Sequence, residues 1–114
     1  MGKKYEVLER FVQLRKKLGL SQKQLSEYLE VDQSYISKIE NGERSITLDI
    51  AEKICNLIGY DVSYLFNGEN QESLNISFRA KELDVEDLKK LARVNLIAIK
   101  LREMKKLYEE QDNV

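Results

Sequence analysis

Residues 21–42 read SQKQLSEYLEVDQSYISKIENG and hold the chain's most informative side chains. On a helix over the second half of that stretch, Gln33, Ser34, Ser37 and Lys38 occupy the outward face, with Tyr35 alongside. Short and medium polar groups on a projecting helix reach base edges in a DNA major groove, where glutamine pairs bidentately with adenine and lysine reaches guanine. Catalytic chemistry is much less well supplied. The chain has no histidine, no tryptophan, no proline and one cysteine, Cys55. Ser-His-Asp and Cys-His catalysis are therefore excluded, as are zinc sites of the histidine or multi-cysteine kind. The Asp and Glu positions show no spacing typical of a metal cluster or an acid/base pair. The expectation is a binding protein rather than an enzyme, with no metal and no cofactor.

The elements that must hold these residues are punctuated by caps and stops. Val7, Phe11, Leu14 and Leu18 form an apolar stripe that ends at Gly19. Ser21 followed three residues later by Gln24 has capping-box spacing and opens a short helix that buries Leu25 and Leu29. Asp32 caps the next helix, with Ile36 and Ile39 inward and Asn41-Gly42 as its stop. Ser26, a small residue, sits where the two helices cross. Thr47 caps a fourth helix with Ile50, Ala51, Ile54, Cys55, Leu57 and Ile58 inward, and Asp61 opens a last turn carrying Val62, Leu65 and Phe66 before Gly68. Five short helices joined by tight turns predict an all-α domain over 1–68. Tyr28, Tyr60 and Tyr64 read as core or rim packing, and Cys55 as a small buried hydrophobe.

Length and charge bound this reading. A chain of 114 residues holds one domain, or a small domain with an appended element. Charged residues at 34% beside 42% apolar residues describe a soluble globular protein, and a net charge of −1 excludes a polycation that coats nucleic acid as a whole. Residues 1–46 carry nine Lys/Arg against seven Asp/Glu, the only net-basic segment; 47–68 carry one against three, and 69–114 nine against ten. Lys16 and Lys17, near the end of the first helix, either approach phosphates or complement that helix's dipole. A lone cysteine cannot form an internal disulfide, which suits a reducing compartment. No apolar run approaches about 18 residues and none follows the Met-Gly-Lys-Lys start, so neither a membrane span nor a signal peptide is expected and the protein is placed in the cytoplasm.

Ser21-Gln22 opening the second helix, Ile36-Ser37, Glu40-Asn41-Gly42 after the third, and the closing turn from Asp61 to Phe66 resemble the Xre / phage-repressor (Cro and cI type) helix-turn-helix family over residues 5–68. The resemblance implies a five-helix, lambda-repressor-like domain that binds double-stranded DNA, its third helix (33–40) entering the major groove. Carried over by position, Gln33, Ser34 and Lys38 are base readers, with Tyr35 at a thymine methyl or sugar edge. Gln22, at a helix N-terminus, is a phosphate contact, and Lys23, Asn41 and Arg44 are further backbone contacts. One departure matters: the family usually has glycine in the turn between helices two and three, where this chain has Glu30. A non-glycine residue with positive φ costs about 1 kcal/mol, so the turn is strained or remodelled. The added negative charge there implies modest affinity per domain.

Beyond Gly68 the composition changes. Residues 69–83 read as a linker in which 74–80 alternate polar and apolar, as a short strand or an extended connector. A long helix follows within 84–114, capped by Asp84 with Asp87 at its third position. A single small domain of this type contacts few phosphates, and such repressors dimerise on half-sites about one helical turn apart. The expected homodimer seam is Leu88, Leu91, Val94, Ile97, Leu101 and Met104, with Asn95 and Lys100 fixing register or facing water. The alternative is a helix folded back on its own domain. Residues 78–83, FRAKEL, also resemble a motif of regulators cleaved by metallopeptidases encoded beside them. The reading is a transcriptional repressor on a palindromic operator. Two rivals stay open: an antitoxin whose second half wraps a toxin, and an interaction adaptor that has lost DNA binding.

Overall fold

Six α-helices carry the regular structure among residues 2–68 and 82–112, the residues that this computed structural model describes. In chain order they are α1 (Gly2–Leu18), α2 (Gln22–Leu29), α3 (Gln33–Glu40), α4 (Leu48–Ile58), α5 (Val62–Asn67) and α6 (Val85–Asp112). The all-α expectation holds, with five helices in the first 68 residues followed by one long helix. The strand expected at 74–80 lies outside the described residues.

Four of the five expected caps act as their residue types predict. Ser21 Oγ accepts from Gln24 N at 3.0 Å while Gln24 Oε1 accepts from Ser21 N at 2.9 Å, a complete capping box. Thr47 and Asp61 accept from Ile50 N and Ser63 N, and Asp84 from Asp87 N at 2.8 Å. Asp32 has the extended backbone of an N-cap but makes no side-chain cap hydrogen bond. Each satisfied donor stabilises its helix start by about 1 kcal/mol.

One apolar core joins all six helices. Phe11 and Leu14 of α1, Leu25 of α2, Ile36 and Ile39 of α3, Ile54 and Leu57 of α4 and Leu65 of α5 are essentially inaccessible. Tyr28 and Tyr60 are buried, Tyr64 packs at the rim, and Cys55 is buried as expected, its thiol pushed up to about 12 by desolvation and by the charge of Asp61. Tyr28 keeps its hydroxyl satisfied by donating to the Lys53 carbonyl oxygen at 2.8 Å.

The start of α6 completes this core, which corrects one residue of the expected seam. Leu88 is 1% exposed and packs with Ala92 in the same cluster as the first five helices. Asn95 is neither a register residue nor solvated. It is buried, and its Nδ2 donates to the Asn56 and Leu57 carbonyl oxygens at 2.8 and 3.2 Å. Those carbonyls belong to the last turn of α4, where no intrahelical donor remains. Leu88, Ala92, Asn95 and Ile99 recur at steps of four, three and four and dock α6 on α4 and α2. The rest of the expected seam faces away: Leu91 is half-buried, while Val94, Ile97, Leu101 and Met104 are 59–64% exposed, with Leu107 and Tyr108 beyond them.

Leu88→Ala should lower unfolding stability by about 2–5 kcal/mol, as for other buried leucines. Urea denaturation should give the same loss at low and high protein concentration. A loss that grows with dilution would return Leu88 to a seam between subunits.

Candidate nucleic-acid interface

The third helix is amphipathic over only two turns, so its orientation depends on what grips its two ends and its buried side. Ile36 and Ile39 are fully buried. Their burial turns Gln33, Ser34 and Lys38 to solvent, with Tyr35 and Ser37 half-buried beside them. Of the five expected base-reading side chains, three thus face solvent, Ser37 lies half-buried beside them, and Tyr35 packs at the edge against the core. Ser26 is buried at the crossing of α2 and α3 and donates from Oγ to the Lys23 carbonyl oxygen at 2.7 Å.

Between the two helices Glu30 has φ 60° and ψ 44°, the left-handed conformation that glycine adopts without penalty. The turn therefore keeps its shape and carries the strain. The carboxylate of Glu30 accepts from Lys89 Nζ of α6 at 2.7 Å. That hydrogen bond and the lysine's charge hold the Glu30 carboxyl below the usual carboxylate range. The negative charge expected to trouble DNA is thus already paired with the long helix.

The far end of α3 is held by a network that sequence reading missed. Arg15 of α1 donates from Nε and Nη2 to the two carboxylate oxygens of Glu40 at 2.8 and 2.9 Å. Its Nη1 donates to the Leu20 carbonyl oxygen at 2.9 Å, and Gln22 Nε2 donates to Glu40 Oε1 at 2.9 Å. The Glu40 side chain is 8% exposed and that of Arg15 15%. Burial pushes the Glu40 carboxyl up, but hydrogen bonds from Arg15 and Gln22 and the charges of Arg15 and Lys16 outweigh it and hold the group below its ordinary value. The two ionic partners stand 25 residues apart, a separation at which no local pattern signals a pair.

The expected backbone contacts divide into two kinds. Lys23, Asn41 and Arg44 are exposed, and among the described residues Lys23 and Arg44, like Lys38, form no ion pair. They are cations available to an outside phosphate. Gln22 is half-buried and partly committed to Glu40, which leaves one amide proton for an external acceptor. Lys17 is engaged elsewhere: its Nζ donates to Tyr60 Oη at 3.0 Å and lies 5.5 Å from that ring's centre.

The helix-turn-helix family pattern matches residues 12–65. The chain is 39% identical over 58 residues to the control protein C.MunI of a Mycoplasma species, a match that covers 78% of that protein and 51% of this one. The chain belongs to the Xre / Cro-cI-type helix-turn-helix family. It is also 33% identical over 84 residues to the HTH-type transcriptional regulator RamB of Mycobacterium tuberculosis. That match takes in 74% of this chain and spans only 17% of RamB's length. No solved structure matches the chain at a significant level.

Because the Glu40 carboxyl titrates below its unfolded value, its contribution to stability is complete above the ordinary carboxylate range and disappears as pH falls through the lowered value. Urea midpoints measured from neutral pH down to about pH 3 should therefore fall in the parent. Glu40→Gln should start lower at neutral pH and lose less on acidification. Equal slopes in the two proteins would show that the Arg15–Glu40 pair does not stabilise the fold.

Proposed function

We propose that the chain is a DNA-binding transcriptional regulator, a repressor that binds a palindromic operator as a homodimer. The observation that carries the reading is the exposed side of α3, where Gln33, Ser34 and Lys38 face solvent with Ser37 half-buried beside them and Tyr35 at the edge against the core, while Ile36 and Ile39 anchor the helix from below. Side chains of this kind discriminate base pairs in the major groove. Lys23, Asn41 and Arg44 flank that surface in sequence and supply sequence-independent contacts to phosphate. The regulator names of C.MunI and RamB support the same assignment.

A second copy is the proposed occupant of the exposed side of α6. Val94, Ile97, Leu101, Met104 and Tyr108 recur at alternating steps of three and four, the repeat of a two-helix coiled coil. At 100° per residue this row lies opposite the row of Leu88, Ala92, Asn95 and Ile99 that docks on α4, so self-association does not compete with the intramolecular packing. Each large side chain so covered adds roughly 1.5–3 kcal/mol at full burial. Two linked domains also double the phosphates and bases contacted, which a lone domain of this size needs. The proposed organisation is therefore a DNA-binding unit over 1–68, a connector over 69–83 and a dimerising helix over 84–114.

Three substitutions separate the roles. Gln33→Ala should relax base preference at one operator position, by about 1–3 kcal/mol of discrimination. Arg44→Ala should weaken all duplexes alike and reduce the slope of log affinity against log salt by about 1. If both variants bind specific and random duplexes like the parent, the docking of α3 is wrong. Ile97→Glu, on an exposed site, should leave the circular dichroism spectrum unchanged but convert a dimer to a monomer in sedimentation. A dimer that survives Ile97→Glu would move the interface off α6.

A further inference from the structure

The docking of α6 leaves a cleft of about 280 Å³ between α2, α4 and α6. Its lining carries more cations than carboxylates. Lys53, Lys89 and Arg93 face it with a single carboxylate, Glu30, and Ala92 and Leu96 supply an apolar wall beside the Asn56 side chain. Glu30 already takes Lys89 at 2.7 Å, Glu86 lies 4.0 Å from the same ammonium outside the lining, and Lys53 reaches back to Asp49, also outside it, at 3.4 Å, so among the described residues Arg93 is the cation of the cleft left without a carboxylate. Arg93 forms no ion pair among the described residues. Its charge acts on the Lys89 ammonium as a repulsion, and the charges of Lys89 and Lys53 both act on Glu30 as attractions. Like charges held around a concave, partly apolar surface favour a counter-anion, whose field is strengthened by the low-dielectric wall. A cavity of about 150 Å³ holds a benzene molecule, so this cleft takes a body of that size with an anionic head.

We propose that the cleft binds a small organic oxyanion, a carboxylate or phosphate ester on an apolar body of about one ring, with Arg93 and Lys89 on the head group and Ala92 and Leu96 against the body. Arg93 provides a planar fork of donors suited to both head groups. Seating the oxyanion on Lys89 places it in competition with Glu30, the residue that turns the chain from α2 into α3 in a strained left-handed conformation. The ligand thereby reaches the turn ahead of α3 without touching its outer surface.

The test is titration of the full-length, isotopically labelled chain with benzoate, phenyl phosphate and, as a neutral control, benzyl alcohol, read from backbone amide shifts. No DNA is present, so the outcome is independent of what α3 binds. Saturable shifts at Asn56, Ala92, Leu96 and Glu30 with at least one anion and not with benzyl alcohol are expected, and the anion that binds identifies the head group. Arg93→Gln, an exposed substitution, should weaken that binding about tenfold, the lower range for losing one charge-assisted hydrogen bond. Three results overturn the proposal: no saturable shift with either anion, shifts of equal size with the alcohol, or unchanged affinity in Arg93→Gln.

Discussion

The contact on which the arrangement depends is the part-buried fork between Arg15 and Glu40. Glu40 is the last residue of α3, a position where the helix dipole disfavours a carboxylate. It is held there because α1 offers a guanidinium from its own final turn, where positive charge is favoured, and because the first residue of α2 donates a third hydrogen bond. One carboxylate thus ties the end of α3 to the end of α1 and the start of α2. Removing one member of such a pair strands a partly buried charge and costs less than the roughly 3–5 kcal/mol of a fully buried pair. An eight-residue helix with two buried isoleucines slides and rolls easily; the fork fixes its axis, and with it the direction in which Gln33, Ser34 and Lys38 project.

At the other end of α3 the constraint is strained rather than favourable. Glu30 adopts a backbone conformation suited to glycine, and its side chain reaches across to Lys89. The exposed ion pair adds little stability by itself. Its consequence is geometric: the long helix touches the turn that sets the approach of α3. The same α6 caps the last carbonyls of α4 through Asn95 and fills the core with Leu88. The C-terminal helix is therefore integral to the folded unit along its first half and apolar on its opposite side beyond it.

Much of the fold was legible because its signals are local. Ser21, Thr47, Asp61 and Asp84 mark helix starts through hydrogen bonds two or three residues away, and the inward rows of α1 and α4 follow helical period directly. The outward surface of α3 was legible for the same reason, since locating Ile36 and Ile39 locates Ser34 and Lys38 opposite them and Gln33 on the flank. The division of α6 was not. Leu88 and Leu101 belong to rows with the same three-and-four spacing on opposite sides of one helix, and periodicity alone does not say which row meets the rest of the chain. The buried amide of Asn95 decides it, and its partners are carbonyls on another helix. The Arg15–Glu40 fork was hidden for a related reason: both residues sit among solvated charges of the same kinds, and only the fold brings them together.

Whether two copies present α3 to two half-sites is read by selecting binding sites from random duplex DNA with the full chain and sequencing them. A dimer reading through α3 enriches an inverted repeat whose half-sites have centres about 10–10.5 base pairs apart, or a multiple of that spacing. Enrichment of a single unrepeated half-site would contradict the dimer, and no enrichment at any salt concentration would contradict DNA recognition itself.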